Sequence, residues 1–144
     1  MSPGGRLRRS SLALILALLA APAAGGGEGW SPFAEADVVR IVTRDADGAE
    51  RDTRVWFVVV GGDGFVRTND SRWLANIRRG SPVALRLDRE RRTMERAVSA
   101  EEVNDATISA AVEEAYKAKY GFVQRAMSFF RMREPTVLRL REAR

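Results

Sequence analysis

Neither histidine nor cysteine occurs in the chain. A thiol nucleophile, a Ser-His-Asp triad and a zinc site built on imidazole or thiolate are therefore excluded. Proton transfer would fall to Asp, Glu, Tyr or Lys. Of the 24 basic residues all but Lys117 and Lys119 are arginine, which stays protonated, holds anions well and serves poorly as a base.

Arg54 and Arg67 are the cations best placed to act together. Both fall on strands read as neighbours in one hairpin. On a common face they would form a two-guanidinium clamp for a phosphate or carboxylate. The alternative is that each pairs with a nearby acid on the surface. Trp56 and Trp73 offer ring faces to a planar ligand, or they fill the core. Asn76 can hydrogen-bond a ligand or stand on the exposed face of its helix. Tyr116 and Lys119, three apart on a helix, are close enough to touch. With Tyr120 they are the only Lys–Tyr grouping with acid–base potential. The plainer arrangement buries both rings and leaves the lysine in water. The run Gly61-Gly62-Asp63-Gly64 lies between two strands and lacks the Lys-Ser/Thr ending of a phosphate loop, so it reads as a turn.

The elements that must position these residues follow from periodicity. Residues 36–43 are β-branched and read as a strand, and Asp47-Gly48 centres a turn over 45–50. Residues 53–60 read as one long strand, apolar without alternation from Val55 and so buried on both faces. Residues 65–68 return from the Gly turn. A short helix fits residues 69–80, capped by Asp70 or Ser71 and ended by Gly80. Residues 82–89 alternate, with Val83, Leu85 and Leu87 inward, and 92–100 pair with them. Ser99 and Glu102 make a capping-box pattern for an amphipathic helix from Ala100 to about Tyr120-Gly121. A shorter helix over 122–132 completes a helical pair. Residues 136–141 form a last strand. Antiparallel hairpins plugged by helices suggest a small barrel of mainly β, α+β class.

The N-terminal stretch reads as an export signal. Arg6, Arg8 and Arg9 precede an apolar run over residues 12–21, and Ala21-Pro22-Ala23 fits cleavage after Ala23. Ten apolar residues fall short of the ~20 needed to span a bilayer, so stable membrane insertion is not expected after cleavage. Arg8-Arg9-Ser10-Ser11-Leu12 partly matches a twin-arginine pattern, so either export route leads to a periplasmic or secreted protein. Residues 24–35 read as a flexible leader, and 36–144 as the domain. Removing residues 1–23 leaves 21 basic against 19 acidic residues, a net of +2 rather than +5. Nucleic-acid binding thereby loses its electrostatic argument.

Three pieces carry a family likeness. They are Ile41-Val42-Thr43 with Thr53-Arg54-Val55-Trp56-Phe57-Val58-Val59; Phe65-Val66-Arg67-Thr68 with Arg72-Trp73-Leu74-Ala75-Asn76-Ile77; and Ala115-Tyr116-Lys117-Ala118-Lys119-Tyr120-Gly121 with Pro135-Thr136-Val137-Leu138. Over residues 36–141 the chain resembles an uncharacterised bacterial family of the flavin/deazaflavin-binding split β-barrel superfamily, the pyridoxamine-phosphate-oxidase-like group. The resemblance implies a six-stranded split β-barrel with a short inserted helix and a C-terminal helical pair, often a homodimer. It also implies FMN or a deazaflavin near the dimer interface; no metal is expected in a chain without histidine or cysteine. Carried over by position, the cofactor-binding residues are Arg54, Val55 and Trp56; Arg67, Thr68 and Asn69; and Trp73 and Asn76. One departure is the acidic turn Asp45–Glu50, which would repel a phosphate where cofactor-binding relatives place a basic one. The functional expectation is an exported flavin- or deazaflavin-dependent oxidoreductase, with the cofactor carrying the chemistry. The alternative is a cofactor-free small-ligand-binding or dimeric interaction module of the same fold.

Overall fold

The strand-forming runs and helix signals above become, among the described residues of a computed structural model, seven strands, two α-helices and a 3-10 turn at Phe33–Glu35. The structure describes residues 29–129 and 135–144, with side chains given outside 122–134. In chain order the strands and α-helices are β1 (Val39–Arg44), β2 (Glu50–Val55), β3 (Val58–Val60), β4 (Asp63–Thr68), α1 (Arg72–Arg78), β5 (Val83–Arg89), β6 (Arg92–Glu102), α2 (Ala106–Phe129) and β7 (Thr136–Glu142). All strands join one antiparallel sheet in the order β2-β1-β5-β6-β7-β4-β3.

That order explains the barrel. β2 and β3 are the two outer strands, yet only Trp56 and Phe57 separate them in sequence. Three residue steps reach about 10 Å at most, so the sheet must curl until its edges nearly meet. The edges are joined by covalent chain and share no ladder, which makes a half-open barrel. The expected long strand over 53–60 is thus two strands with a break at Trp56–Phe57, giving seven strands instead of six.

Alternation then fills the interior. Ile41, Val66, Leu85, Leu138 and Leu140 all point inward and are fully buried. Each such side chain contributes about 1.5–3 kcal/mol relative to exposure. The outer face of β3, β4 and β7 is covered by α2, so Val58, Phe65 and Val137 pack there against Val112 and Tyr116. This second layer is why the 55–60 run lacks polar alternation.

Three expectations need correction. The helix expected from Ala100 begins at Ala106. The backbone of Ala100 and Glu102 is already paired with Leu140 and Leu138 of β7, so the Ser99/Glu102 capping box cannot form. Asp105 caps the helix instead, its Oδ1 accepting the N–H of Thr107 (2.8 Å) and Ile108 (3.1 Å). Gly121, at φ 51°, breaks α2 where the first helix of the expected pair was to end, and helical backbone resumes to Phe129; Met132 lies outside the described residues. The leader expected over 24–35 is ordered from Gly29. Trp30 and Phe33 enter the core, 4% and 1% exposed, and the Trp30 Nε1–H donates to the Gly62 carbonyl at 3.0 Å. Residues 1–28, including the expected signal, lie outside the described residues. Ser71 caps α1 as expected, accepting the Leu74 N–H. No helix among the described residues is long and apolar enough to cross a membrane.

The docking of Trp30 depends on Gly64. A Cβ at Gly64 would lie 2.5 and 2.7 Å from the Phe57 ring and 3.3 Å from Trp30. Phe57 is fully buried and has no room to retreat. Gly64→Ala is expected to cost about 1–3 kcal/mol through overpacking, read as a lower urea midpoint. An unchanged midpoint would show that the two rings shift freely.

Candidate functional site

The two-residue joint that closes the barrel creates a polar problem. The last β1–β2 pair is Val39–Val55 and the first β3–β4 pair is Val58–Phe65. The backbone of Trp56 and Phe57 therefore belongs to neither ladder, and its polar groups need other partners. One face of α2 supplies them for three of the four groups. The Tyr116 hydroxyl donates to the Trp56 carbonyl at 2.8 Å. The Phe57 N–H donates to the Tyr120 hydroxyl at 3.0 Å, and that hydroxyl donates onward to the Asp37 carbonyl at 2.9 Å. The Lys119 ammonium donates to the Phe57 carbonyl at 2.7 Å and to the Ala34 carbonyl at 3.0 Å. Burial holds the lysine below its ordinary pKa and raises the Tyr120 phenol. Both tyrosine rings do pack inward, but the lysine is a fastener between two backbone segments and is not left in water. Trp56 is oriented by the same face, stacked on Tyr120 with centroids 4.3 Å apart at 8°.

Beside this joint lies a cavity of about 340 Å³. The end of β2 and the joint give it Arg54, Val55 and Trp56. The end of β4 and the residue after it give Arg67, Thr68 and Asn69. Trp73 comes from α1 and Tyr116 from α2. Seven of the eight residues carried over from the family likeness line this one space.

The eighth does not. Asn76 is buried, 3% exposed, with its amide donating to Thr43 Oγ1 (3.0 Å) and Asp45 Oδ1 (2.8 Å) and its carbonyl oxygen accepting from Arg79. It ties α1 to the β1–β2 turn, and it is neither exposed nor at the cavity. The acidic turn also differs from expectation. Asp45 is held at about 2 chiefly by the Arg51 side chain, then by Asn76, and Glu50 pairs with Arg86. The turn sits at the far end of β2, four residues or about 13 Å from Arg54. Asp45 and Glu50 are thus matched by arginines away from the cavity.

The two arginines are not on neighbouring strands. Arg54 is on β2 and Arg67 on β4, close to opposite ends of the sheet, and they reach one cavity only because the barrel closes there. Their environments differ. Arg67 has a side chain 8% exposed, lies 3.9 Å over the Tyr116 ring and is ion-paired with Glu113 of α2. Its Nε is buried without a hydrogen-bond partner among the described residues. Arg54 is exposed, with no ion pair among the described residues. Its cross-strand neighbour is another cation, Arg40, whose guanidinium is held by Asp52 and Asp88. Arg54 therefore has no acid directly across from it on β1. The hydroxyl of Thr68 is engaged with the Asn69 carbonyl and Ser71, while the Asn69 side chain is exposed. Trp73, 4% exposed, is mainly a core residue. Sequence reasoning missed Glu113. Its position three before Tyr116 on the face of α2 that meets β4 is the signal that could have found it. No cluster of acidic side chains suited to a metal ion occurs among the described residues.

Fold and cavity together define a half-open split barrel with a lined space at its closure. Residues 31–140 match the family described as an uncharacterized protein conserved in bacteria, DUF2255, and the chain belongs to that family. Solved structures share the fold. An FAD-binding protein from Mesorhizobium loti aligns with a TM-score of 0.61 at 9% identity, over 81% of this chain and 87% of its own. The heme storage protein HutZ from Vibrio cholerae aligns at 0.60 and 14%, over 75% and 82%. A candidate pyridoxamine 5'-phosphate oxidase from Lactobacillus delbrueckii aligns at 0.54 and 21%, over 76% and 83%. No curated protein matches the sequence.

Tyr120→Phe tests the joint. It leaves the Phe57 N–H without its acceptor, and a buried unpaired donor costs about 1–3 kcal/mol. The wild-type phenol, raised above its ordinary value of 10.0, contributes stability that is present below that pH and lost as pH rises through the raised value. Urea unfolding of the variant should therefore show lower stability at neutral pH and a shallower alkaline decline above about pH 10. Identical pH slopes in both proteins would contradict the assignment.

Proposed function

We propose that this protein is a small-ligand-binding split barrel whose cavity takes an anionic ligand bearing a planar ring, of the FMN or deazaflavin type. The observation that carries the reading is the unmatched cation at the cavity: Arg54 lacks an ion pair among the described residues, and Trp56 and Asn69 stand beside it. The Nε of Arg67 adds a buried donor that has no partner among the described residues, a rare condition in folded proteins. Arg54, Arg67 and Asn69 would hold the phosphate, and the ring would lie toward Trp56. When bound, such a cofactor supplies hydride or electron transfer, and the chain supplies binding and orientation. That division suits a protein without histidine or cysteine.

A haem fits less well. No imidazole or thiolate is present to ligate iron, and the Tyr116 phenol is committed to the Trp56 carbonyl. A second reading, a cofactor-free binder of small anions, is favoured by the pairing of Arg67 with Glu113 and by the burial of Trp73. Both readings place the mature protein in the periplasm or medium, on the strength of the N-terminal signal pattern.

The visible spectrum of protein purified from its native compartment, followed by FMN and deazaflavin titration, separates the two readings. A bound or acquired chromophore supports the first, and binding of inorganic phosphate alone supports the second. Arg54→Ala is expected to weaken FMN binding roughly ten-fold or more, the scale of a charge-assisted contact. Asn76→Ala should lower the unfolding midpoint and leave FMN affinity unchanged. Equal FMN binding by wild type and Arg54→Ala would remove the cavity from consideration.

A further inference from the structure

Arg67 stands between two hollows. It lines the cavity described above, and it also lines a larger hollow of about 700 Å³ on its other side, bounded by Glu113, Ser109 and Thr136. Of the two hollows Glu113 borders only the second, so its carboxylate meets the guanidinium without forming part of the lining of the first. The pair is strongly asymmetric: the Arg67 side chain is 8% exposed and that of Glu113 39%. A cation that buried needs a counter-charge, and leaving it unmatched is unfavourable.

We propose that Glu113 is a selectivity residue that cancels the charge of Arg67 from the second hollow, so that the cavity offers an incoming ligand one effective positive charge, that of Arg54, where its composition suggests two. The inference rests on the flavin-type reading of the cavity and sharpens it. Arg67 still offers hydrogen-bond donors, but without net attraction for an anion. Charge preference in the natural protein is then set by Arg54 alone. Removing the carboxylate would expose a second cation in a site where water screens it poorly, and electrostatic attraction grows accordingly.

FMN and riboflavin share the ring and differ in the phosphate, so the ratio of their affinities measures charge preference free of ring contacts. In wild type, FMN should bind more tightly than riboflavin, and Arg54→Ala should bring the two near parity. Glu113→Gln, which keeps the side chain's size, should tighten FMN binding roughly ten-fold and leave riboflavin unchanged. Adding Glu113→Gln to Arg54→Ala should restore the preference for FMN through Arg67. If FMN binds wild type but Glu113→Gln does not raise the ratio, the role of Glu113 is wrong while the cavity assignment stands. A preference for FMN that survives in Arg54→Ala alone would likewise overturn the role of Glu113, without use of the glutamate variant. If neither flavin binds wild type or Glu113→Gln, both this inference and the flavin reading fall.

Discussion

The fold rests on the treatment of two peptide groups. A seven-stranded sheet that closes through covalent chain instead of a ladder must leave backbone unpaired at the point of closure. Here that backbone is Trp56–Phe57, and an unpaired buried amide or carbonyl costs about 1–3 kcal/mol. Tyr116, Lys119 and Tyr120 remove that cost for both carbonyls and the Phe57 N–H from a single face of α2. Through Ala34 and Asp37 the same side chains pin the segment that carries Trp30 and Phe33 into the core. The positions of β2, β3, α2 and the N-terminal segment therefore depend on one small polar cluster. The cavity is a by-product of it: Trp56 is oriented by Tyr120, and Arg67 lies on the ring of Tyr116.

Charge is handled by the same logic of local matching. On the outer face of β1, β2 and β5, Arg40 and Arg86 share Asp52, and Arg86 also meets Glu50 and Glu95. Isolated surface pairs contribute about 0–1 kcal/mol, so this network matters less for stability than for leaving few unmatched guanidinia on a face rich in arginine. Arg54 escapes it because the neighbouring position on β1 at its level is Arg40, and the acid in the same row, Glu95, sits three strands away and pairs with Arg86. A net charge read from composition says little about such a surface. What distinguishes a binding position is the failure of local matching.

Most of the architecture is legible in the sequence because alternation and capping are local signals. Val83, Leu85 and Leu87 announce β5, and Ser71 with Leu74 announces α1. The differences arise where distant chain decides the outcome. Val55 to Val60 is uniformly apolar, and no periodicity can reveal a break inside it, since the break is imposed by closure of the sheet. Ser99 and Glu102 satisfy a local capping pattern, yet β7, some forty residues on, claims their backbone. Trp30 follows a glycine run and reads as unattached, because its partner is the carbonyl of Gly62. The site behaves similarly. Periodicity pairs Arg54 with Arg67 for the wrong reason, as hairpin neighbours, but closure brings their strand ends to one place. Trp73 and Asn76 lie three apart on α1 and both face inward, and only Trp73 reaches the cavity while Asn76 meets Thr43.

A site assembled at a closure seam has limited chemical means of its own. Its side chains are guanidinium, amide, hydroxyl and aromatic ring, and the groups with acid–base potential nearby, Tyr116, Lys119 and Tyr120, are occupied in holding backbone. Moving a proton at any of them would loosen the joint that forms the cavity. Structural duty and acid–base catalysis are therefore in competition for the same three residues, and the geometry resolves it in favour of structure. What remains is recognition: a cation, an indole face and a few donors around a preformed space.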